Sequence, residues 1–435
     1  MPPRRRHSRS AISGTRPDWL DASLAAKSTQ RRKTMNTTEK SRRALLLGAM
    51  ATCGAMLTGI STAWAQQGPG VTDKEIKFGT WMPLTGPIAA YGVPQRAGIE
   101  AYLKMINDRG GIKGRKFELV VEDNAFNPQR TVAAARKLIT RDEVLALLVP
   151  NGTAQSAATF DYVLGEAKVP LLNPYAGAGD WYTPPRANLY GALVLYENQA
   201  RALGRWAAKE GHKNIVVIHS ALAAFENVAV NVLPGAKSVR ADATVERFPT
   251  KFDTQDYGPI ALEIARKKPD ALVYILAQPE IIRIGKEFHA QGVKVPQYTY
   301  SPSVANSMLE LGGAALEGIR SVSYTQPVTL ETAPVREYRD ALAKYFPNEK
   351  PDYVSLTSFA LTKIVVEAIN RINGPINRTS LTNALESMKS YDTGIMPAVS
   401  YGPDRHLGAT VVQRVTAQNG RWVSVGAPID TEKNW

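Results

Sequence analysis

Cysteine is almost absent from this chain of 435 residues, where Cys53 is the single example. The rest of the chain therefore has no disulfide framework, no thiol nucleophile and no cysteine-bound metal. Histidine is scarce too, with five residues, and none of them stands at the i, i+4 spacing that metal sites on helices use. We therefore expect no metal centre.

The sequence motifs of several enzyme classes are also missing. The Gly-x-Ser-x-Gly elbow of hydrolases does not occur, and neither a Walker phosphate loop nor Gly-x-Gly-x-x-Gly follows the first predicted strand. The nearest pattern, Ala176-Gly177-Ala178-Gly179, lacks the spacing of a nucleotide loop. The sequence predicts neither an enzyme nor a cofactor.

Positive charge is concentrated at the amino terminus. The formal net charge is +14, from 53 Lys and Arg against 39 Asp and Glu. Residues 1–65 contain 12 of the basic and 3 of the acidic residues, which leaves 41 against 36, a net charge of +5, for residues 66–435. That remainder has no polybasic stripe, so we expect no nucleic-acid partner.

Residues 1–65 are typical of an export signal with an amino-terminal extension. Ser41-Arg42-Arg43 precedes an apolar run that ends near Ile60, and Ala63-Trp64-Ala65 supplies the small residues of a cleavage site. The arginine pair resembles a twin-arginine signal, but Ala44 stands where that signal usually has a bulky residue, so the general route stays open. A permanent membrane anchor is the less favoured alternative, because the run is short. We expect a periplasmic protein that is cleaved after Ala65.

From residue 71 onward, short β-branched or apolar runs alternate with amphipathic helical patterns. Residues 257–265, for example, place apolar side chains at the i, i+3, i+4, i+7 spacing of one helix face. Because parallel strands need long crossovers, this alternation predicts an α/β protein with two doubly wound parallel-sheet lobes. The predicted strands are Ile76–Trp81, Phe117–Glu122, Val144–Val149, Val169–Asn173, Ile215–His219, Thr244–Phe248, Ala271–Leu276, Gln297–Tyr300 and Gly318–Tyr324, followed by Ala398–Tyr401, Val411–Val415 and Trp422–Val425.

Five segments spread over residues 71–425 form a recognisable set: Leu84–Gly92, Ile106–Gly114, Val121–Pro128, Glu166–Pro174 and Gly285–Lys294. Together they resemble the leucine/isoleucine/valine-binding proteins, which have the type I periplasmic binding fold. The resemblance implies two lobes joined by a multi-strand hinge, which close on a ligand like a Venus flytrap. It places residues 71–192 and 325–398 in the amino-terminal lobe, and residues 193–324 and 399–430 in the carboxyl-terminal lobe.

The resemblance also implies a function, that of the substrate-binding component of an ABC importer. Such a component captures a small organic molecule outside the cytoplasmic membrane and passes it to permease subunits, and we expect it to be a monomer. Branched-chain amino acids are the ligand class that the family favours. A ligand-sensing domain of a signalling system, built on the same fold, is the alternative from another class.

The ligand site of an open α/β sheet lies beyond the carboxyl ends of its strands. This rule selects the loops after Trp81, Val149 and Asn173 in the first lobe, and the resemblance adds residues of the second lobe. In the first lobe, Ala154 takes the place of a carboxylate-binding serine of the family, and Gly177 takes the place of a threonine. The predicted ligand-binding residues are Tyr91, Gly152, Thr153, Ala154, Gln155, Tyr175, Ala176, Gly177, Phe225, Gln278 and Ser301.

Two positions depart from the family pattern where a ligand's ammonium group is bound. Ala277 replaces a tyrosine, and Pro302 lies near the position of the ammonium-binding glutamate. A buried ammonium without an acidic partner costs on the order of several kcal/mol. Unless Glu280 or another acid reaches the site, a carboxylate or amide without an α-amino group fits better, such as an aromatic acid, a hydroxy acid or a short amide. Both ligand classes stay open at this point.

Overall fold

Short apolar runs in the first half of the chain pair into a parallel sheet. The computed structural model describes residues 67–433. In the first sheet the strands are β1 (Glu75–Met82), β2 (Lys116–Asp123), β3 (Ala146–Leu148), β4 (Leu171–Leu172) and β5 (Leu189–Tyr190). Their order is β2-β1-β3-β4-β5, and every neighbouring pair is parallel.

A second, mixed sheet is built from the rest of the chain. Its order is β12-β11-β10-β9-β8-β6-β7, with β13 paired to β11. The pairs from β7 to β10 are parallel, whereas β11 runs antiparallel to β10 and β12. The strands are β6 (Asn214–Ser220), β7 (Thr244–Thr250), β8 (Ala271–Ile275), β9 (Gln297–Thr299), β10 (Arg320–Ser323), β11 (Val411–Gln418), β12 (Arg421–Ser424) and β13 (Ile429–Asp430).

Helices connect the strands and cover the two sheets. None of the helices within residues 67–433 combines the length and the apolar character needed to cross a bilayer. In chain order the helices are α1 (Ala89–Asp108), α2 (Pro128–Thr140), α3 (Thr153–Ala157), α4 (Tyr196–Lys209), α5 (Ala223–Ala229), α6 (Val232–Lys237), α7 (Gly258–Arg266), α8 (Gln278–Ala290), α9 (Asn306–Gly312), α10 (Ala333–Tyr345), α11 (Tyr353–Arg371) and α12 (Arg378–Glu386).

Helices α10 to α12 return to the first sheet although they follow the second sheet's parallel strands in the chain. Helix α11 lies so close to α1 that a Cβ on Gly98 would stand 2.1 Å from the carbonyl oxygen of Ser355. In α12, Arg378 donates to the carbonyl oxygens of Val144 and Leu145 beside β3. We call the first sheet with α1–α3 and α10–α12 the first lobe, and the second sheet with α4–α9 the second lobe.

Three adjacent segments carry the chain between the lobes within the described residues. They are residues 191–195 after β5, residues 324–332 after β10, and residues 398–410 before β11. The first and third segments are paired, because the Gly191 amide donates to the His406 carbonyl and the Gly408 amide donates to the Gly191 carbonyl. The connection between the lobes therefore consists of three crossings, of which the first and third are hydrogen-bonded to each other.

The predicted fold class is confirmed, and each strand predicted before residue 325 overlaps an observed strand. Strand β5 was not predicted because it has only two residues. The predicted strand Ala398–Tyr401 is wrong, since only Val399 forms a bridge, with Tyr391. The reason is its position between the lobes, where the amides of Ser400 and Tyr401 bond to Gly408 and Met388 instead of to a strand ladder.

Candidate ligand-binding site

Residues from the carboxyl ends of both sheets meet between the lobes. Tyr91 stands in the first turn of α1, after β1, and Gln278 opens α8, after β8. The backbone amide of Gln278 donates to the Tyr91 hydroxyl over 3.4 Å, and both residues are buried. The structure therefore brings together two residues that the sequence predicted on opposite sides of the ligand.

Five tyrosines crowd around this junction, and we call them the tyrosine cluster: Tyr91, Tyr175, Tyr196, Tyr300 and Tyr324. The rings of Tyr175 and Tyr324 meet edge to face with centroids 6.5 Å apart, and those of Tyr196 and Tyr300 do so at 5.4 Å. Edge-to-face packing is the arrangement that aromatic rings prefer. The cluster draws side chains from both lobes and from the second crossing segment, so an aromatic surface lines the junction.

Burial raises the pKa of every tyrosine in the cluster above its ordinary value. For Tyr324, burial raises the pKa to about 12. Hydrogen bonds with Ser301, Gln199 and Tyr196 oppose this rise. The hydroxyls therefore stay protonated at neutral pH. A protonated hydroxyl can donate a hydrogen bond to an anionic or carbonyl oxygen of a ligand, whereas the Tyr196 hydroxyl is already bonded to that of Tyr324.

Gln199, which lies in α4 and is fully buried, ties the second-lobe part of the site to the crossing segments. Its Nε2 donates to the Val194 carbonyl over 2.8 Å and to the Tyr324 hydroxyl over 3.1 Å. Its Oε1 accepts from the Ser301 amide over 3.0 Å. The loop that contains Ser301 is thereby fixed relative to two of the three crossing segments.

Among the polar groups of the second lobe that are buried without a partner within residues 67–433, two belong to residues beside this junction. They are the Nε2 of Gln278 and the Oγ of Ser303. Both residues are more than nine-tenths buried. A buried donor without a partner costs free energy, so these groups are suited to a polar ligand held between the lobes.

The loop after β3 offers backbone amides rather than side chains. Gly152 has a φ of +102°, and a Cβ there would stand 2.3 Å from the Gln155 side-chain oxygen, so the position requires glycine. The Gln155 side chain is engaged inside the first lobe, where its Nε2 donates to the Phe126 carbonyl over 2.6 Å. Thr153 is half-buried and Ala154 is exposed. The first amides of α3 lack intrahelical partners, so Thr153 and Ala154 present free donors at the end of the sheet.

The loop after β4 carries Tyr175 into the cluster and packs tightly against the second lobe. Ala176 is buried, and a Cβ on Gly177 would stand 3.0 Å from both the Tyr196 ring and the Val194 carbonyl. The Gly177 carbonyl accepts from the Tyr196 amide over 2.7 Å. A side chain at position 177 would therefore press on Tyr196.

The structure does not bring Phe225 to the tyrosine cluster. Phe225 is half-buried, and its ring packs 6.5 Å from Phe252 within the second lobe. Conversely, Tyr196, Tyr300 and Tyr324 belong to the cluster but were not predicted. Tyr300 and Tyr324 directly follow β9 and β10, so the rule that selected the first-lobe loops from the ends of their strands also selects these two residues.

From the sequence, the ligand class depended on whether Glu280 reaches the ligand. In the structure, the Glu280 carboxylate accepts all of its hydrogen bonds from the protein. The residue is 1% exposed. Its Oε2 accepts from the Ser220 hydroxyl at 2.9 Å and from the Ala277 amide at 3.0 Å. Its Oε1 accepts from the Asp253 amide at 3.0 Å and from the Tyr257 hydroxyl at 3.2 Å. Glu280 therefore fastens loops of the second lobe together.

Two further acids act electrostatically on the cluster, Asp352 on Tyr91 and Glu197 on Tyr324. Both oxygens of Asp352 accept backbone amides, from Val354 at 2.8 Å and from Asn306 at 2.7 Å. Glu197 differs, because its Oε1 accepts a 3.3 Å bond from the Gly179 amide while its Oε2 is buried without a partner within residues 67–433. Burial raises the pKa of Glu197.

Two surface cavities lie elsewhere in the second lobe. One, of about 330 Å³, is lined by the amino ends of β9 and β10, including Gln297 and Arg320. The other, of about 390 Å³, lies at the amino ends of β6 and β7, including Asn214 and Thr244. Ligands of α/β sheets bind at the carboxyl ends of strands. The junction between the lobes is therefore a better candidate for the ligand site than either cavity.

Known proteins match this architecture. Residues 75–420 match the periplasmic binding protein family, a span that includes the strands of the first sheet, the strands β6–β11 and all three crossing segments. The chain belongs to this family. Because the family binds small molecules and interacts with ABC permeases, this periplasmic binding protein is a substrate-binding protein for a small ligand.

Individual relatives are distant. The Leu/Ile/Val-binding protein of Citrobacter freundii is 23% identical over 266 residues, which cover 61% of this chain and 71% of the relative. A branched chain amino acid ABC transporter protein from Thermus thermophilus, solved with bound valine, is 19% identical with a TM-score of 0.75, covering 82% of this chain and 97% of its own. The solute binding protein of an ABC transporter from Rhodopseudomonas palustris BisB5, in complex with 3,4-dihydroxy benzoic acid, is 21% identical with a TM-score of 0.71, covering 82% and 98%. At these identities the likeness shows the fold.

Proposed function

We propose that this periplasmic binding protein delivers a small carboxylate or amide without an α-amino group, with an aromatic or apolar body, to an ABC importer. The observation that carries the proposal is the engagement of Glu280. Its two oxygens already accept four hydrogen bonds from the protein, so the carboxylate has no capacity left for a ligand's ammonium group. The resemblance puts Ala277 at one position of the family's ammonium site and Pro302 near the other, and neither residue supplies an acid.

The tyrosine cluster supports an aromatic body for the ligand. Tyrosine rings offer edges and faces for stacking, and their protonated hydroxyls offer donors. The unpartnered Nε2 of Gln278 adds a further donor at the same junction. An aromatic or hydroxylated acid uses all of these groups, and 3,4-dihydroxy benzoic acid, the ligand in the Rhodopseudomonas palustris structure, is of this chemical kind.

The proposed mechanism is closure of two lobes around the ligand. The carboxylate docks first on the free amides of Thr153 and Ala154 in the first lobe, beside Tyr91. The second lobe then closes and brings Gln278 and Ser301 onto the ligand, and contacts made only in the closed form drive the motion. In this proposal the lobes correspond to residues 71–192 with 325–398 and residues 193–324 with 399–430.

A branched-chain amino acid is the second candidate, and Glu197 is the observation that favours it. The Oε2 of Glu197 is buried without a partner within the described residues, and the carboxyl lies beside Gly179, at the end of the loop that carries Tyr175. An ammonium group would satisfy this oxygen. The Citrobacter freundii relative is a Leu/Ile/Val-binding protein, which agrees with this candidate.

A thermal-shift experiment with matched ligand pairs separates the two candidates. Leucine is compared with 4-methylpentanoate, and phenylalanine with 3-phenylpropanoate, because the members of each pair differ only in the α-amino group; 3,4-dihydroxybenzoate is added. We expect a shift of several degrees for at least one acid and a smaller shift for its amino partner, since a ligand at 100 times its Kd adds about 2.7 kcal/mol of stability. A larger shift with leucine or phenylalanine, lost in Glu197→Gln, would establish the second candidate instead.

A pair of tyrosine variants tests whether the ligand lies in the cluster. Tyr324→Phe removes a hydroxyl of the cluster, and we expect it to reduce the ligand-induced shift of the best compound. Tyr274→Phe is the matched control, because its buried hydroxyl donates to Gln297 at the amino end of β9, away from the cluster. Equal ligand-induced shifts in the two variants would show that the ligand does not bind at the cluster.

Export remains a separate proposal, because residues 1–65 lie outside the described part of the chain. We propose that they direct the protein to the periplasm, where it acts as a monomer. Amino-terminal sequencing of the chain recovered from the periplasm should begin at Gln66. A chain that keeps residues 1–65 in the cytoplasm would contradict this proposal.

A further inference from the structure

An aspartate of the first lobe accepts a hydrogen bond from a helix of the second lobe. Asp352 precedes α11, and its Oδ1 caps that helix by accepting from the Val354 amide at 2.8 Å. Its Oδ2 accepts at 2.7 Å from the amide of Asn306, the first residue of α9 in the second lobe. One carboxylate therefore serves the amino ends of two helices on opposite lobes.

The surrounding hydrogen bonds hold both partners of this contact in place. The Asn306 side chain donates from its Nδ2 to the Pro351 carbonyl at 2.7 Å. Within the first lobe, the amide of Asp352 donates to the Tyr338 hydroxyl at 2.9 Å, which holds the turn before α11 in place. In the second lobe, the Trp422 indole donates to the Ala305 carbonyl at 3.0 Å and fixes the turn before α9. Each partner of the contact is thus fixed in its own lobe.

Electrostatics strengthen the contact. The amino end of an α-helix carries a partial positive charge, and a carboxylate there is stabilised. Hydrogen bonds from an amide to a carboxylate are stronger than those between neutral groups. Because Asp352 interacts with two such ends, separating the lobes leaves the amide of Asn306 to water and removes one charge-assisted bond.

We infer that Asp352 and Asn306 form a latch that holds the two lobes of this protein closed. The inference rests on the proposed closure of the lobes around a ligand. Asp352 is a positioning residue in this scheme, since it acts on the closed arrangement and not on the ligand. The latch biases the equilibrium between open and closed forms toward closure before any ligand is present.

Three variants remove different hydrogen bonds of the latch. Asn306→Ala keeps the backbone amide and loses only the bond from Nδ2 to Pro351. Asn306→Pro loses the amide as well, yet suits its position, because proline is favoured at the first residue of a helix and Ala305 before it is extended, with φ −144° and ψ 151°. Asp352→Asn keeps a good cap for α11 but turns an NH2 group toward the amide of Asn306.

The readout is the distance between the lobes in the full chain without ligand. Residues 67–433 contain no cysteine, so with Cys53→Ser in the same chain two introduced cysteines are the only labelling sites. Gln129 in α2 and Asn227 in α5 are exposed and follow strands of the first and second sheet, respectively. Single-molecule energy transfer between dyes at Gln129→Cys and Asn227→Cys reports the populations of open and closed molecules.

We expect a closed population in the wild type. Its ratio to the open population should fall about tenfold in Asp352→Asn, about threefold in Asn306→Ala and about thirtyfold in Asn306→Pro, which loses both bonds, from the ordinary worth of a hydrogen bond. The double variant Asp352→Asn/Asn306→Pro should resemble Asn306→Pro alone, because both substitutions remove the same bond between Asp352 and the amide of residue 306. Unchanged populations in both single variants, or a wild type without a closed population, would overturn the latch. Because no ligand is used, this outcome is independent of whether the ligand screen succeeds.

Discussion

Replacing Glu280 by glutamine is the sharpest test of its assigned role. The buried carboxylate accepts two hydrogen bonds at each oxygen. A glutamine amide has one oxygen and one NH2 group, so in either orientation the NH2 group faces one hydroxyl, which can turn to accept from it, and one backbone amide, which cannot. A lost bond to a charged acceptor is worth about 1.5–3 kcal/mol, and because one backbone amide loses its acceptor, we expect Glu280→Gln to lower the free energy of unfolding by about that amount.

Urea unfolding followed by circular dichroism measures this loss. Glu287→Gln is the matched control, because it changes a half-buried carboxylate two turns along the same helix, where we expect a change of about 0.5 kcal/mol or less. Glu280→Gln should therefore be strongly destabilised, whichever ligand is present. If Glu280→Gln instead unfolds like the wild type and loses the response to an amino acid, Glu280 binds the ligand and the proposed ligand class is wrong.

Two further predictions concern stability. Gly98→Ala places a methyl group 2.1 Å from the Ser355 carbonyl, so it should force α1 and α11 apart and lower Tm by several degrees, whereas alanine at the open position Gly165 should not. Burial, with Glu310 and Glu349 nearby, raises the pKa of Asp352 to about 6, above the value of about 3.9 for an unfolded chain. The stability that comes from the bound proton is therefore fully present below about pH 4 and is lost as the pH rises through about 6. The unfolding free energy of the wild type relative to Asp352→Asn should therefore fall by about 1–3 kcal/mol from pH 4 to pH 7.5, and a constant difference would contradict this assignment.

The sheets were predictable because their signal is local. Runs such as Ile215–His219 and Ala271–Leu276 are continuous and apolar, as expected for strands covered on both faces. Strand β5 is too short to leave such a signal, and Ala398–Tyr401 has the composition of a strand but lies between the lobes. In these two places the course of the chain is decided by contacts with residues distant in sequence.

The site was predictable only in outline. The rule that ligands bind beyond strand ends leads to Tyr175 and to Ser301, and applied to every strand it also leads to Tyr300 and Tyr324. Tyr196 is different, because it enters the cluster through the first crossing segment, whose path depends on the packing of the lobes. No local pattern marks such a residue.

The hydrogen bonds of Glu280 bear on the departure from the family pattern at position 277. A glutamate three residues after the position that precedes a helix is a capping signal, and the bond from the Ala277 amide to Glu280 follows it. The other three donors, Ser220, Asp253 and Tyr257, lie 23 to 60 residues away in sequence, so only the fold shows that the acid is saturated. A small residue at position 277 and a glutamate turned back on its own helix therefore form one structural unit. In the proposed function, this unit replaces the ammonium-binding end of the family's site, so restoring amino-acid binding would require a new acid there and not the release of Glu280.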